Sequence, residues 1–373
     1  MRVLHVIRGV ARLDGGPSET IRGLLPALRR LGIDARLATT DTGLDRHADA
    51  DILAWPGAVF ASSSGRSPLE RLRNSSRILR SEVEAADLVH VHGTHTVHGS
   101  LGLAHAHRRN RPVILQPHGS LGAYQLARHA WRKHAYRATV DRTALSAARH
   151  VIASSERERD DILQALPDST VHLVPLGVDP SLFELPIAPR REPLMCFVGR
   201  IAAKKRVDLL LGALAELSPP TRLVIAGTVS GDQRVDLAGL AARLGIQDRV
   251  EFIGPVDAAG RARLLGRSSV FVLPSEDESF GVAAAEAMAA GCAVAVTSEV
   301  GLAASAASAG AVATIDPMSS AIAEAILPLL NDESARLAVA ERGRAYAREH
   351  FAWDLAARRT LASYLATLSG APA

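Results

Sequence analysis

Between Ser268 and Ser298 the chain reads SSVFVLPSEDESFGVAAAEAMAAGCAVAVTS, and few folds accept such a stretch. The apolar run Val270–Leu273 has the length and composition of a buried strand. A polar turn follows from Pro274 to Ser279, and Gly281 opens an alanine-rich segment of strong helix formers. Gly291 stops that helix, and Ala293–Val296 returns as a second buried strand. Strand, helix and strand in this order build a parallel sheet covered by helices.

The rest of the chain repeats the pattern. Strands are expected at Arg2–Ile7, DARLAT, near Ala58, DLVHVHG, PVILQPHG, HVIASS and VHLVP. LGVDPSLFELPIAPRREP, from Leu176 to Pro193, is proline-rich, lacks a period and reads as a linker. A second series then runs through MCFVG, RLVIAG, VEFIG, VFVLP and AVAVT, a doubly wound domain in itself. The expected organisation is a Rossmann-like domain over 1–180, a second over 190–350, and an amphipathic terminal helix over 351–369.

The loop at Glu278 has a definite chemistry. A helix N-terminus at a strand's carboxyl end offers unpaired N–H groups and a positive dipole end to an anion. Gly281 has no Cβ and lets a ligand approach the backbone, while a carboxylate nearby can accept hydrogen bonds from sugar hydroxyls. Glu278 lies in the loop and Glu286 inside the helix, with seven residues between them. Gly199, Arg200 and Lys205 follow the first strand of the second series, where a cation pair suits a diphosphate. In the first series, the GVARLDGGPSET loop precedes a helix that Ser18 is placed to cap, and His118 closes the PVILQPHG strand.

Glu278-Ser-Phe-Gly281 followed by Glu286 resembles the Glu–seven residues–Glu motif of retaining glycosyltransferases of family four, which have the GT-B fold. CFVGRIAAKKRVDLLLGAL and AAEAMAAGCAV match as well, and the likeness spans essentially the whole chain. The resemblance implies two Rossmann-like domains facing across a cleft, with the terminal helix crossing back onto the first. It implies sugar transfer from a UDP- or GDP-sugar to a hydroxyl acceptor, with no metal. By the same resemblance Glu286 holds the ribose, Arg200 and Lys205 the diphosphate, and Glu278 the donor sugar. Gly199, Ser279, Phe280, Gly281 and Val282 would line the donor, with Ile253 near the base. From the first domain, Gly15 and Gly16 would approach the diphosphate and His118 the donor sugar. The family's Gly-Gly-x-Pro-Glu-like stretch has no counterpart in SEVGLAASAASAGA. A bacterial glycan or glycolipid pathway, with a glycan or lipid-linked acceptor, is the context the resemblance suggests.

The sequence admits other readings as well. His90 and His92 form a His-x-His at a strand end, the way some metal-dependent hydrolases begin a site. Such sites need further ligands and a barrel, so these histidines are placed in a cleft or on its rim. A non-catalytic nucleotide-sugar-binding subunit would share the frame without turnover. Asp49-Ala50-Asp51 has a D-x-D spelling but precedes its apolar run, and reads as a solvated turn.

Charge is uneven. Residues 1–186 hold 24 Lys+Arg against 19 Asp+Glu, the remainder 19 against 20, and 13 of the 14 histidines lie in the first part. Basic helices over 68–85 and 121–142 suggest contact with an anionic membrane surface. No nucleic-acid-binding module is recognisable, and none is expected. MRVLHVIRGV reads as a first core strand rather than a signal peptide, and Cys196 and Cys292 as reduced core thiols. The expected location is therefore cytoplasmic, peripheral at the inner face of the membrane.

Overall fold

A computed structural model describes residues 1–12, 15–62, 67–127, 145, 148–187 and 192–370. The chain divides into two compact units, residues 1–177 with 353–373, and residues 178–352.

The first unit carries a seven-stranded sheet of β1 (Arg2–Val6), β2 (Asp34–Thr40), β3 (Ala58–Ala61), β4 (Leu88–His92), β5 (Val113–Gln116), β6 (His150–Ala153) and β7 (Thr170–Leu173). Every pairing is parallel, in the order β3-β2-β1-β4-β5-β6-β7. Alternation along each strand sends side chains to two separate cores. Val3, Leu37, Leu88 and Ile114 pack with the helices Gly16–Arg30 and Trp353–Ser369. Leu4, Val6, Val89, Val91 and Leu115 pack on the opposite face with Leu79, Val83 and Leu103. Trp353 fixes the terminal helix by sitting where Gly23 and Gly177 have no side chain, and a Cβ at either glycine would overlap the indole.

The helix after β1 starts at Gly16, not at Ser18. Gly15 is its cap, with φ 83° and no side-chain bond, and Pro17 takes the first turn. Ser18 is buried inside the helix, where its hydroxyl donates to Val10 O at 2.7 Å.

The second unit carries β8 (Glu192–Val198), β9 (Arg222–Ala226), β10 (Val250–Gly254), β11 (Ser268–Leu273), β12 (Ala293–Thr297) and β13 (Ala313–Ile315). These too are all parallel, in the order β10-β9-β8-β11-β12-β13. The stretch expected as a linker holds a 3-10 turn, Pro180–Glu184, with Leu182 buried, and Val178 N donates to Phe351 O at 2.9 Å. In open parallel sheets the crevice for a ligand lies at the strands' carboxyl ends, where the strand order reverses. Here that point falls between β1 and β4 in the first sheet and between β8 and β11 in the second.

The carboxyl ends around β8 are drawn tightly together. Gly199 N donates to Ala226 O at 2.9 Å and Gly227 N to Gly254 O at 2.7 Å. A Cβ at Gly227 would overlap the Gly199 carbonyl, so only glycine lets these backbones meet.

Candidate functional site

At the reversal point of the second sheet, two loops of opposite charge face each other. Gly199 to Arg206 leave β8, and Pro274 to Gly281 leave β11. Three ion pairs join them: Lys204 to Asp277 at 2.8 Å, Lys205 to Glu278, and Arg206 to Glu276 at 2.6 Å. A backbone bond from Glu276 N to Lys204 O, at 2.8 Å, lies among them. Lys204 and Arg206 are therefore partnered cations rather than a solvated basic loop. Arg200 is exposed, and its guanidinium has no ion-pair partner among the described residues.

The segment after β12 holds the Glu278 loop from the other side. Glu278 N donates to Glu299 O at 3.2 Å, Gly301 N to Glu278 O at 2.9 Å, and Leu302 N to Phe280 O at 2.9 Å. Gly281 caps the helix Val282–Ala289 in the left-handed region, with φ 99°. A Cβ there would meet Val300 Cγ1 at 2.5 Å, so this chain's own packing already requires the glycine. Phe280 is buried against Phe351, ring centroids 5.2 Å apart and nearly perpendicular. Ser279 and Val282 flank it, half-buried.

Glu286 does not face open solvent. It is 5% exposed, and its Oε1 lies 3.3 Å from Arg261 Nη2, on the helix Ala258–Arg267. The partner arginine was invisible to sequence reading because nothing marks the register between these two helices. Ile253 sits in the exposed edge strand β10. Thus Gly199, Arg200, Lys205, Glu278, Ser279, Phe280, Gly281, Val282 and Glu286 gather around the carboxyl ends of β8 and β11. Ile253 lies out on the edge strand of the same sheet, and Gly15, Gly16 and His118 belong to the other unit.

In the first unit the loop leading to Gly15 and Gly16 is held by the D-x-D pair. Asp49 is buried and bound by Arg22, with Asp49 Oδ1 also accepting from Arg12 N at 3.1 Å. Arg22 also pairs with Asp51. The expected solvated turn is instead an anchor for that loop. Gly15 and Gly16 themselves are exposed.

His118 has φ 53°, unusual for a residue with a side chain. Its loop is fixed by Glu158, a buried carboxylate that accepts from Gly119 N at 2.5 Å and Ser154 N at 2.7 Å. Burial pushes the Glu158 carboxyl above its usual range, against the pull of these donors. Nothing in the sequence singled Glu158 out. The His118 ring is bonded inward, Nε2 to His92 Nδ1 at 3.0 Å.

His90 and His92 lie in neither a cleft nor a rim. They are 0% and 2% exposed, on the sheet face covered by the terminal helix, with His5 beside them. Ring nitrogens of His5, His90 and His92 lie within 4.8 Å of one another, close enough for a metal set. Several of those nitrogens are already hydrogen-bonded, His5 Nδ1 to His92 Nε2 at 3.0 Å and His90 Nδ1 to Tyr364 Oη at 2.8 Å, while His90 Nε2 has no partner among the described residues. Burial lowers all these rings, His5 to about 3 and His118 to about 4, with His90 and His92 also well below the usual value.

A family model described as "Glycosyltransferase Family 4" matches residues 14–182, and one described as "Glycosyl transferases group 1" matches residues 183–346. The chain is 28% identical to D-inositol 3-phosphate glycosyltransferase of Xylanimonas cellulosilytica, over 96% of this chain and 93% of that protein. It is 29% identical to GDP-mannose:cellobiosyl-diphosphopolyprenol alpha-mannosyltransferase of Xanthomonas oryzae pv. oryzae, over 78% and 77%. Among solved structures it is similar to Anabaena HepE in complex with UDP and glucose, with TM-score 0.79, 18% identity and coverage of 98% and 100%. It is similar too to sucrose-phosphate synthase from Thermosynechococcus elongatus, with TM-score 0.75, 22% identity and coverage of 99% of each chain. At these structural identities the fold is what is shared, and it is GT-B.

These four histidines, His5, His90, His92 and His118, make stability depend on pH. Each is neutral in the native chain, whereas the unfolded chain binds protons on these rings near pH 6.5. Below that value the unfolded state holds more protons, so stability is full above pH 6.5 and falls as the pH drops toward 4. Each group contributes a slope of about 1.4 kcal/mol per pH unit in that window. The urea midpoint of the full chain should therefore fall steeply between about pH 6.5 and about pH 5. A midpoint that stays level there would show that the rings are not held neutral.

Proposed function

The chain belongs to the family-four type of GT-B glycosyltransferases, and from that premise we propose that it is a retaining enzyme using a UDP- or GDP-sugar. Its acceptor would be the hydroxyl of a glycan or lipid-linked intermediate in cell-surface polysaccharide or glycolipid synthesis. The observation that carries this reading is the Lys205–Glu278 pair at the reversal point of the second sheet, beside the unpaired Arg200 and the N-terminus of the Val282–Ala289 helix.

In this reading Arg200 and Lys205 hold the diphosphate. Lys205 exchanges Glu278 for a phosphate oxygen, which releases the Glu278 carboxylate to hydrogen-bond the donor sugar. N–H groups at Phe280, Gly281 and the first turn assist, with Ser279 and Val282 alongside and Gly199 leaving room for the phosphates. Glu286, oriented by Arg261, accepts the ribose hydroxyls, and the Ile253 turn meets the base. Gly15, Gly16 and His118 keep the donor-contact roles that the resemblance implies for them. The acceptor hydroxyl then attacks from the face the nucleotide leaves, and the departing phosphate takes its proton. The two cations supply the charge stabilisation, so the reading calls for no metal. The relatives' names support both donor series, one using GDP-mannose and one solved structure holding UDP.

The membrane contact rests on one helix, since most of the second, 121–142, lies outside the described residues. The helix Pro68–Ala85 starts on a Ser67–Glu70 capping box and buries Leu79 and Val83. About two and three turns before Leu79, Leu72 and Leu69 are 41% and 55% exposed, among the exposed Arg71, Arg73 and Arg77. An apolar stripe ending beside arginines suits the surface of an anionic bilayer. No helix among the described residues is long and apolar enough to cross one.

The site assignment separates two variants. Glu286→Ala should weaken binding of the nucleoside diphosphate by roughly tenfold, the loss of charged hydrogen bonds to two hydroxyls. Glu278→Ala should leave that affinity nearly intact and chiefly lower turnover; calorimetry and donor consumption read the two effects. Full activity in both variants would refute the assignment. For the membrane, the protein should sediment with phosphatidylglycerol vesicles at low salt, and Leu69→Ser with Leu72→Ser should reduce the bound fraction. Failure of the unaltered protein to sediment would sink the contact.

A further inference from the structure

Behind His118 an unbroken run of polar rings crosses the core of the first unit. His118 Nε2 meets His92 Nδ1 at 3.0 Å, and His92 Nε2 meets His5 Nδ1 at 3.0 Å. His5 Nε2 lies 3.5 Å from the Tyr364 hydroxyl, which lies 2.8 Å from His90 Nδ1. The strands β1, β4 and β5 place His5, His90, His92 and Gln116 on one sheet face, and the terminal helix brings Tyr364, itself fully buried, against it.

Each neutral imidazole has one N–H and one bare nitrogen, and the phenol has one O–H. Every contact needs one donor and one acceptor, so the run of His118, His92 and His5 can point in only two directions. In one, His118 Nε2–H donates to His92, His92 to His5, His5 to Tyr364 and Tyr364 to His90 Nδ1, leaving a proton on His90 Nε2. In the other, His90 Nε2 is bare and buried. The phenol has one proton, and the 2.8 Å contact with His90 Nδ1 has the length of a bond from an O–H donor, whereas the 3.5 Å contact with His5 Nε2 does not. That selects the first direction.

We propose that His5, His92 and Tyr364 are positioning residues that fix His118 with its proton on Nε2, so that bare Nδ1 faces the donor. The consequence is a specificity: the group His118 recognises must itself donate a hydrogen bond. A sugar hydroxyl does so, and an ionised phosphate oxygen does not. This rests on the reading of His118 as a donor-sugar contact.

Nitrogen-15 spectra of histidine-labelled protein, with the His118 signals assigned by their loss in His118→Ala, read the tautomer directly. The expected result is Nε2–H in the unaltered protein and a mixture of tautomers in Tyr364→Phe, which keeps the ring and removes only the hydroxyl. Tyr364→Phe should raise KM for the nucleotide sugar by roughly tenfold, one hydrogen bond's worth, while affinity for the nucleoside diphosphate alone stays level. His92→Leu should cost at least as much. His92→Asn, whose amide oxygen can take the place of Nδ1 as acceptor, should recover most of that loss. A proton on Nδ1 of His118 in the unaltered protein would overturn the proposal, as would unchanged tautomer and KM in a folded Tyr364→Phe. If His118→Ala also left donor turnover unchanged, the donor-site reading itself would fall. An effect of His118→Ala with none from Tyr364→Phe would remove only the positioning chain.

Discussion

The second unit depends on opposite charges held across the reversal of a parallel sheet. β8 and β11 are neighbours, but their loops leave for opposite sides, which opens a gap at the carboxyl ends. The pairs Lys204–Asp277, Lys205–Glu278 and Arg206–Glu276 close that gap. Their side chains are partly buried, so the charges are poorly screened, and removing one partner leaves the other stranded. Such a clasp stores a cation and a carboxylate in contact until an anion competes for the cation. Glycines at 199 and 227 let the backbones approach closely enough for the loops to meet.

The first unit solves a different problem. It must hold His118 in a left-handed conformation, at a cost of order 1–3 kcal/mol. Glu158 grips the following N–H, and the ring run behind His118 fixes the imidazole. Both devices place polar groups in the core, where each is tolerable because it is hydrogen-bonded. The same burial ties stability to pH, since charging any of these rings would strand a cation among apolar side chains.

Much of the fold was legible because parallel strands buried on both faces read as short continuous apolar runs. β13 escaped notice, its three residues ATI being too short to register as a run. Ser18 read as a cap because serine favours that position, but Gly15 and Pro17 start the helix earlier. What went unread at the site shares one cause, pairing over long sequence distance. Asp49 is bound by Arg22, Glu286 by Arg261 and His90 by Tyr364, and no local pattern announces such partners. His90 and His92 were visible as alternate residues of an apolar run. Their depth depended on the terminal helix covering that face, which the pattern of the strand alone does not reveal. Gly281 was read for a ligand's approach, while the structure gives it a packing reason in Val300.

The clasped loops of the second unit are proposed to bind the diphosphate of a nucleotide through the protein's own cations. The most direct measurement is a thermal-shift panel of UDP, GDP, ADP and their common sugar conjugates, each with and without EDTA. The expected result is a shift with one nucleotide series that EDTA leaves unchanged. No shift with any nucleotide, together with a loss of stability in EDTA, would contradict it and return attention to the buried histidines as a metal site.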